Sequence, residues 1–70
     1  MDVMLNGKPQ ILTAQSPVSV IDFLRDQGLD PAATGIAMAI NYSVVPRSEW
    51  DQTWIHGGDE IELITARQGG

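Results

Sequence analysis

The chain has 70 residues, 43% of them hydrophobic and 19% charged, with no Cys and one His. That is enough for one small domain. Burial at this size is too limited for a deep cleft lined by several positioned side chains, so a stand-alone enzyme is disfavoured. Without Cys there is no disulfide frame, thiolate metal ligand, iron-sulfur cluster or Cys nucleophile, and His56 alone does not make a zinc or haem site. A formal net charge of -5 repels phosphate backbones and argues against nucleic acid.

In chain order, MDVMLNGKPQILT sets Val3 and Leu5 at alternate positions, then Asn6-Gly7, then Ile11 and Leu12 after Pro9. This predicts a hairpin, with Lys8 and Pro9 suggesting a loop slightly longer than two residues. Ser19 precedes Val20, Ile21, Phe23 and Leu24, with Asp22 three residues on, the pattern of a capped helix start. Pro17 discourages an earlier start, and Val18 is placed to staple against Phe23. Gly28 can take the left-handed turn that ends a helix, with Leu29 folding back on Leu24, so the helix is expected over residues 20–27.

After a loop holding Pro31 and Thr34, GIAMAIN alternates Ile36, Met38 and Ile40 with Ala37 and Ala39. It reads as a strand with one bulky and one smooth face, expected to be central in its sheet because small residues admit a close neighbour. Val44-Val45 reads as a short edge strand closed by Pro46. SEWDQTWI places Trp50 and Trp54 at helical spacing but is too short and interrupted for more than one turn or a 3₁₀ piece. HGGDE is a turn, and EIELIT is a last strand that sends Ile61 and Leu63 to the covered face and Glu62 and Ile64 to the other. The order β-β-α-β-β-β implies an α+β fold, a mixed sheet with one main helix on one face.

No apolar stretch approaches the ~20 residues that span a bilayer, and MDVMLNGKP lacks the build of a signal peptide, so a cytoplasmic chain with no membrane partner is expected. Pairing His56 with Ser48 and Asp51 as a hydrolytic site has no nucleophile motif behind it, and His56 reads as a loop residue. Trp50 and Trp54 read as packing residues instead of a base-stacking platform, and Gly57-Gly58 as a turn, since neither phosphate-loop spacing is present.

The alternation stops after Thr65, and the chain ends ARQGG. Residues 1–65 are thus expected to form the folded body and 66–70 a flexible tail. Gly69 and Gly70 have no side chain to bury and lose more backbone entropy on ordering than any other residue. Fraying is the plain reading. The chemical reading is that Gly-Gly leaves the C-terminal carboxylate sterically bare, able to thread a narrow channel to a nucleotide α-phosphate. Adenylation would then make that poor electrophile open to a sulfur or nitrogen nucleophile.

INYSVVPRSEW, followed by GDEIELITARQGG at the end of the chain, is similar to the thiamine-biosynthesis sulfur carriers, the ThiS family, and the similarity covers essentially the whole chain. The resemblance implies a ubiquitin-like β-grasp fold. It implies that Gly70 is adenylated by an E1-like enzyme, converted to a thiocarboxylate and used by thiazole synthase, with a sulfur donor system such as a cysteine desulfurase upstream. Gly69 and Gly70 carry over as the threading tail, and Ile64, Ala66 and Arg67 are partner-contact candidates. On this reading the chain is a carrier with no catalytic residue, metal or cofactor of its own. ATP and Mg²⁺ belong to the activating partner, and the free chain is expected to be a monomer. The alternatives are a carrier for molybdopterin or another sulfur-requiring pathway, a protein modifier, or an interaction module with an inert tail.

Overall fold

The computed structural model describes residues 1–66. Strand β1 (Asp2–Leu5) turns back into β2 (Lys8–Ile11) through Asn6 (φ 51°) and Gly7 (φ 80°) alone. Two successive positive φ values match the right-handed strand twist, so the reversal needs only two residues and not the longer loop expected. Lys8 and Pro9 lie inside β2 instead. Pro9 is tolerated because it sits opposite Met4 on a sheet edge, where a missing N–H breaks no ladder bond.

The first helix, α1 (Val20–Asp26), follows a two-residue strand, β3 (Val18–Ser19). The Ser19 hydroxyl accepts the Asp22 N–H at 3.1 Å, capping the first turn as expected. At the other end Gly28 has φ 80°, and its N–H donates to the Arg25 carbonyl while that of Leu29 donates to Leu24. This is the Schellman closure the Gly28-Leu29 pair implies, with Gln27 as the cap residue.

The chain continues through β4 (Ile36–Ile40), β5 (Ser43–Val45), a 3₁₀ turn (Arg47–Glu49), β6 (Trp54–Ile55) and β7 (Glu60–Thr65). The main sheet runs β2-β1-β7-β4-β5, parallel between β1 and β7 and antiparallel elsewhere, while β3 and β6 pair separately. The expected order of elements is present, with β3 and β6 added. They escape sequence reading because two residues carry no periodicity and are strands only by pairing with each other.

The expectation that Ile36–Ile40 is the central strand is corrected: β7 is central, and β4 lies between β7 and the edge strand β5. Nor does any of the described residues cover the smooth face of β4. Met38 is buried and Ile36 and Ile40 pack against the core, so the bulky face meets the interior and Ala37 and Ala39 face out. The core joins Val20, Phe23 and Leu24 of α1 to Val3, Leu12, Val18, Met38, Trp50, Ile55 and Ile61, and among the described residues no polar side chain is buried. Apolar burial of this kind, at about 25 cal/mol per Å², is what holds so small a body together.

Candidate functional site: the base of the tail and the open sheet face

One face of the sheet carries α1 and the core; the other is open. Strand alternation places Asp2 and Met4 of β1, Pro9 and Ile11 of β2, Ala37 and Ala39 of β4, Val44 of β5, and Glu60, Glu62 and Ile64 of β7 on the open face. Ile64 is 62% exposed and Val44 78%, as the period of β7 predicts for Ile64. A shallow depression of about 130 Å³ runs between Ala37, Ala39, Val44, Glu62 and Ile64, near the C-terminal end of β7. The two alanines make it: any larger side chain there would fill it.

This face is acidic as well as apolar. None of the open-face positions holds Lys or Arg, while Asp2, Glu60 and Glu62 are all there. Tyr42, on the turn between β4 and β5, reports the field. Its hydroxyl is pushed above the ordinary value of 10.0, first by hydrogen bonding to the Glu60 carboxylate, then by that carboxylate's charge, with desolvation and Glu62 adding to it.

Two devices hold the C-terminal end of β7. The Ala66 N–H donates to the Gly35 carbonyl at 2.6 Å, one step beyond the last strand pair, Ile36 opposite Thr65. Gly35 has φ 81°, and a Cβ there would lie 3.1 Å from the Ala66 carbonyl oxygen and 3.3 Å from its Cβ. Only glycine suits both the backbone angle and the close approach. The loop leading to Gly35 is itself tied down by Arg47, whose guanidinium donates to the Pro31 and Ala33 carbonyls and lies 4.4 Å from the centroid of the Trp50 ring. Trp50 in turn is buried and donates through Nε1 to the Val45 carbonyl at 3.0 Å. The PRSEW stretch therefore acts as a clamp on the loop before β4. Sequence reading assigned Arg47 no role; its i,i+3 spacing to Trp50 was the available signal.

Of the expected site residues, Ile64 lies on the open face and Ala66 is fixed by Gly35, so both stand at the tail's base. Arg67, Gly69 and Gly70 lie outside the described residues. Trp50 packs in the core as expected, whereas Trp54 is 51% exposed on β6 because its strand neighbour Ile55 takes the inward position. His56 belongs to a turn: its N–H donates to Asp59 Oδ2 at 2.8 Å and its carbonyl accepts the Asp59 N–H. Among the described residues no hydrogen bond joins His56 to Ser48 or Asp51, and no group of three or more His, Cys, Asp or Glu side chains could hold a metal ion. No helix among them is long and apolar enough to cross a membrane.

A mixed sheet in this strand order, with one helix laid across it and the last strand at its centre, is the ubiquitin-like β-grasp fold. Solved structures agree. The crystal structure of the thiamine biosynthesis protein ThiS from Geobacter metallireducens superposes with a TM-score of 0.83 at 26% identity, covering 100% of both chains. The solution structure of a thiamine biosynthesis protein from the same organism gives 0.81 at 25% identity, covering 100% of this chain and 88% of that one. The ThiS family profile matches residues 3–70, and the chain belongs to the ThiS family. Among curated relatives, the sulfur carrier protein ThiS of Escherichia coli (strain K12) is 43% identical over 42 residues, 60% of this chain and 64% of that relative. The match thus spans a little under two thirds of that relative's length.

Proposed function

We propose that this protein is a sulfur carrier of thiamine biosynthesis, working through the carboxylate of Gly70. The observation that carries the reading is the family match, which runs through Gly70, together with the name of the Escherichia coli relative, a sulfur carrier protein. In the proposed cycle an E1-like enzyme supplies ATP and Mg²⁺. The Gly70 carboxylate attacks the α-phosphate, pyrophosphate leaves, and an acyl-adenylate forms. A persulfide from a donor system such as a cysteine desulfurase then displaces AMP to give an acyl disulfide, and a second thiol cleaves its S–S bond, being oxidised to a disulfide and leaving a thiocarboxylate that thiazole synthase consumes.

The fold supports this division of labour. In this reading the chemistry falls to the partners and the chain is the carrier that they act on. What this chain contributes is a tail base of set direction, from Gly35 and Arg47, beside an exposed apolar and acidic face. Ile64 and Ala66, with Arg67 beyond them, are the positions we assign to partner contact. A partner surface combining apolar side chains with Lys or Arg would complement Ile64, Val44, Glu60 and Glu62.

Intact-protein mass spectrometry after incubation with the adenylating enzyme, ATP and a sulfur donor tests the reading. Replacement of one oxygen by sulfur at the terminus is expected. An unchanged mass would refute it, and pull-down of thiazole synthase distinguishes thiazole formation from another sulfur-accepting pathway.

A further inference from the structure

Two hairpins of this chain reverse through the same kind of two-residue turn, and they fill it differently. Between β1 and β2 the pair is Asn6-Gly7, with φ 51° and 80°; between β4 and β5 it is Asn41-Tyr42, with φ 50° and 69°. The second place of such a turn favours glycine, because a Cβ at positive φ crowds the following carbonyl, and a bulky residue there is an outlier. Tyr42 gives the fold little in exchange. It is 80% exposed and lies outside the core, and its hydroxyl meets the Glu60 carboxylate at the surface, where water competes for the bond. What ties this turn down is Asn41. Its main-chain N–H donates to the Glu60 carbonyl at 2.7 Å, its Oδ1 accepts the Glu60 N–H at 2.9 Å and its Nδ2 donates to Asp59 Oδ1 at 3.1 Å. Backbone strain that the fold does not need points to a use outside it.

The Tyr42 ring walls a depression of about 250 Å³ on the open face, lined also by Met4, Gly7, Glu60, Ile61 and Glu62. That volume falls below the roughly 300 to 1,000 Å³ of clefts that enclose a small molecule, so it suits one side chain delivered by a larger body. The walls select the chemistry of that side chain. Glu60 and Glu62 are successive residues on one face of β7, about 6.8 Å apart along the strand. No open-face position holds a Lys or Arg to neutralise them. The face of an aromatic ring attracts a cation, and the Met4 thioether accepts an alkyl stem. A planar guanidinium stacks on the ring and turns its fork of donors toward both carboxylates, whereas an ammonium is a point charge with no flat face to stack.

We infer that Tyr42 anchors a docking surface for an arginine side chain of a protein partner, received between the Tyr42 ring and the Glu60 and Glu62 carboxylates. The exposed apolar positions on the same face, Val44 and Ile64, would meet the partner's surface around that arginine. On this account the chain keeps a tyrosine where glycine would make the better turn, because the ring is needed by the partner and not by the fold.

The probe is an acetylated, amidated Leu-Arg-Leu tripeptide, with Leu-Gln-Leu as the uncharged control, titrated into the full chain and followed by amide chemical shifts. The arginine peptide should shift the Tyr42, Glu60 and Glu62 signals progressively, and the glutamine peptide should leave them in place. Tyr42→Phe keeps the ring and should bind as the parent does. Tyr42→Gly should bind the arginine peptide about two- to fivefold more weakly, the loss for one exposed cation–π contact. The same variant should melt about 4 °C higher than the parent, since its turn is relieved of strain. Equal shifts with both peptides would overturn the inference, as would a Tyr42→Gly chain that binds the arginine peptide as tightly as the parent. A Tyr42→Gly chain that melts lower would also overturn it, by making the ring a requirement of the fold. Neither probe nor readout involves Gly70 or an activating enzyme, so the carrier reading stands or falls separately.

Discussion

Gly35 is the residue on which the tail's exit most depends. An alanine there must adopt a positive φ, at about 1 to 2 kcal/mol, and its Cβ must also displace Ala66. Gly35→Ala should therefore lower the urea midpoint and speed amide exchange at Ala66, while exchange in α1 keeps its order of protection. Tyr42 offers a second local test, since it is the only tyrosine and a spectrophotometric titration reads it alone. Its hydroxyl should ionise above the ordinary value of 10.0, and Glu60→Gln should bring it back toward that value by removing the first and second causes of the shift. The sign for stability follows from the raised folded-state value. The contribution is complete below pH 10 and is lost as pH climbs through the raised value, so the fold weakens with alkali and neutral pH leaves it unaffected.

Elements of this size hold by their ends and clamps. α1 is seven residues, too short to persist in isolation, and depends on its Ser19 cap, the Gly28 closure and the burial of Val20, Phe23 and Leu24. The loop before β4 has no such internal support and depends on Arg47. Arg47→Lys keeps the charge but cannot reach two carbonyls with a planar fork or lie flat on Trp50. We expect it to cost about 1 kcal/mol in chemical denaturation, less than buried bonds would because the carbonyl bonds are exposed. Faster exchange at Ala66 should accompany it, through Gly35. Trp50→Ala removes a buried anchor and should cost about 3 to 5 kcal/mol, enough to unfold much of the population.

Taken as one body, the protein separates its helix-covered side from an open face whose charged residues are all acidic, on a chain of net charge -5. Association with a basic activating enzyme should therefore slow as salt rises. Glu60→Gln with Glu62→Gln should cut the association rate several-fold at low ionic strength and flatten its salt dependence, read by stopped-flow fluorescence. Ile64→Asp acts otherwise: it should raise the dissociation rate, since it places a charge where the apolar contact is proposed, and leave thermal stability near that of the parent because the residue is exposed.

Much of this fold is written locally. The Asn6-Gly7 reversal, the Ser19 and Gly28 helix ends, the period of two in EIELIT and the outward side of Ile64 each depend on residues within a few positions of one another, and the sequence alone determines them. The Gly69-Gly70 pair is a candidate read from the sequence alone, and it lies outside the described residues. What only tertiary structure decided is lateral. That β7 is central, that β3 and β6 exist, that the alanine side of β4 stays uncovered, that Arg47 ties the loop to Trp50 and that Asn6 reaches Leu63, 57 positions away, all depend on which segments come to lie side by side. Such pairings leave no period in the sequence, since a strand's hydrogen-bonding groups are the same whatever its side chains and its neighbour is chosen by the packing of the whole.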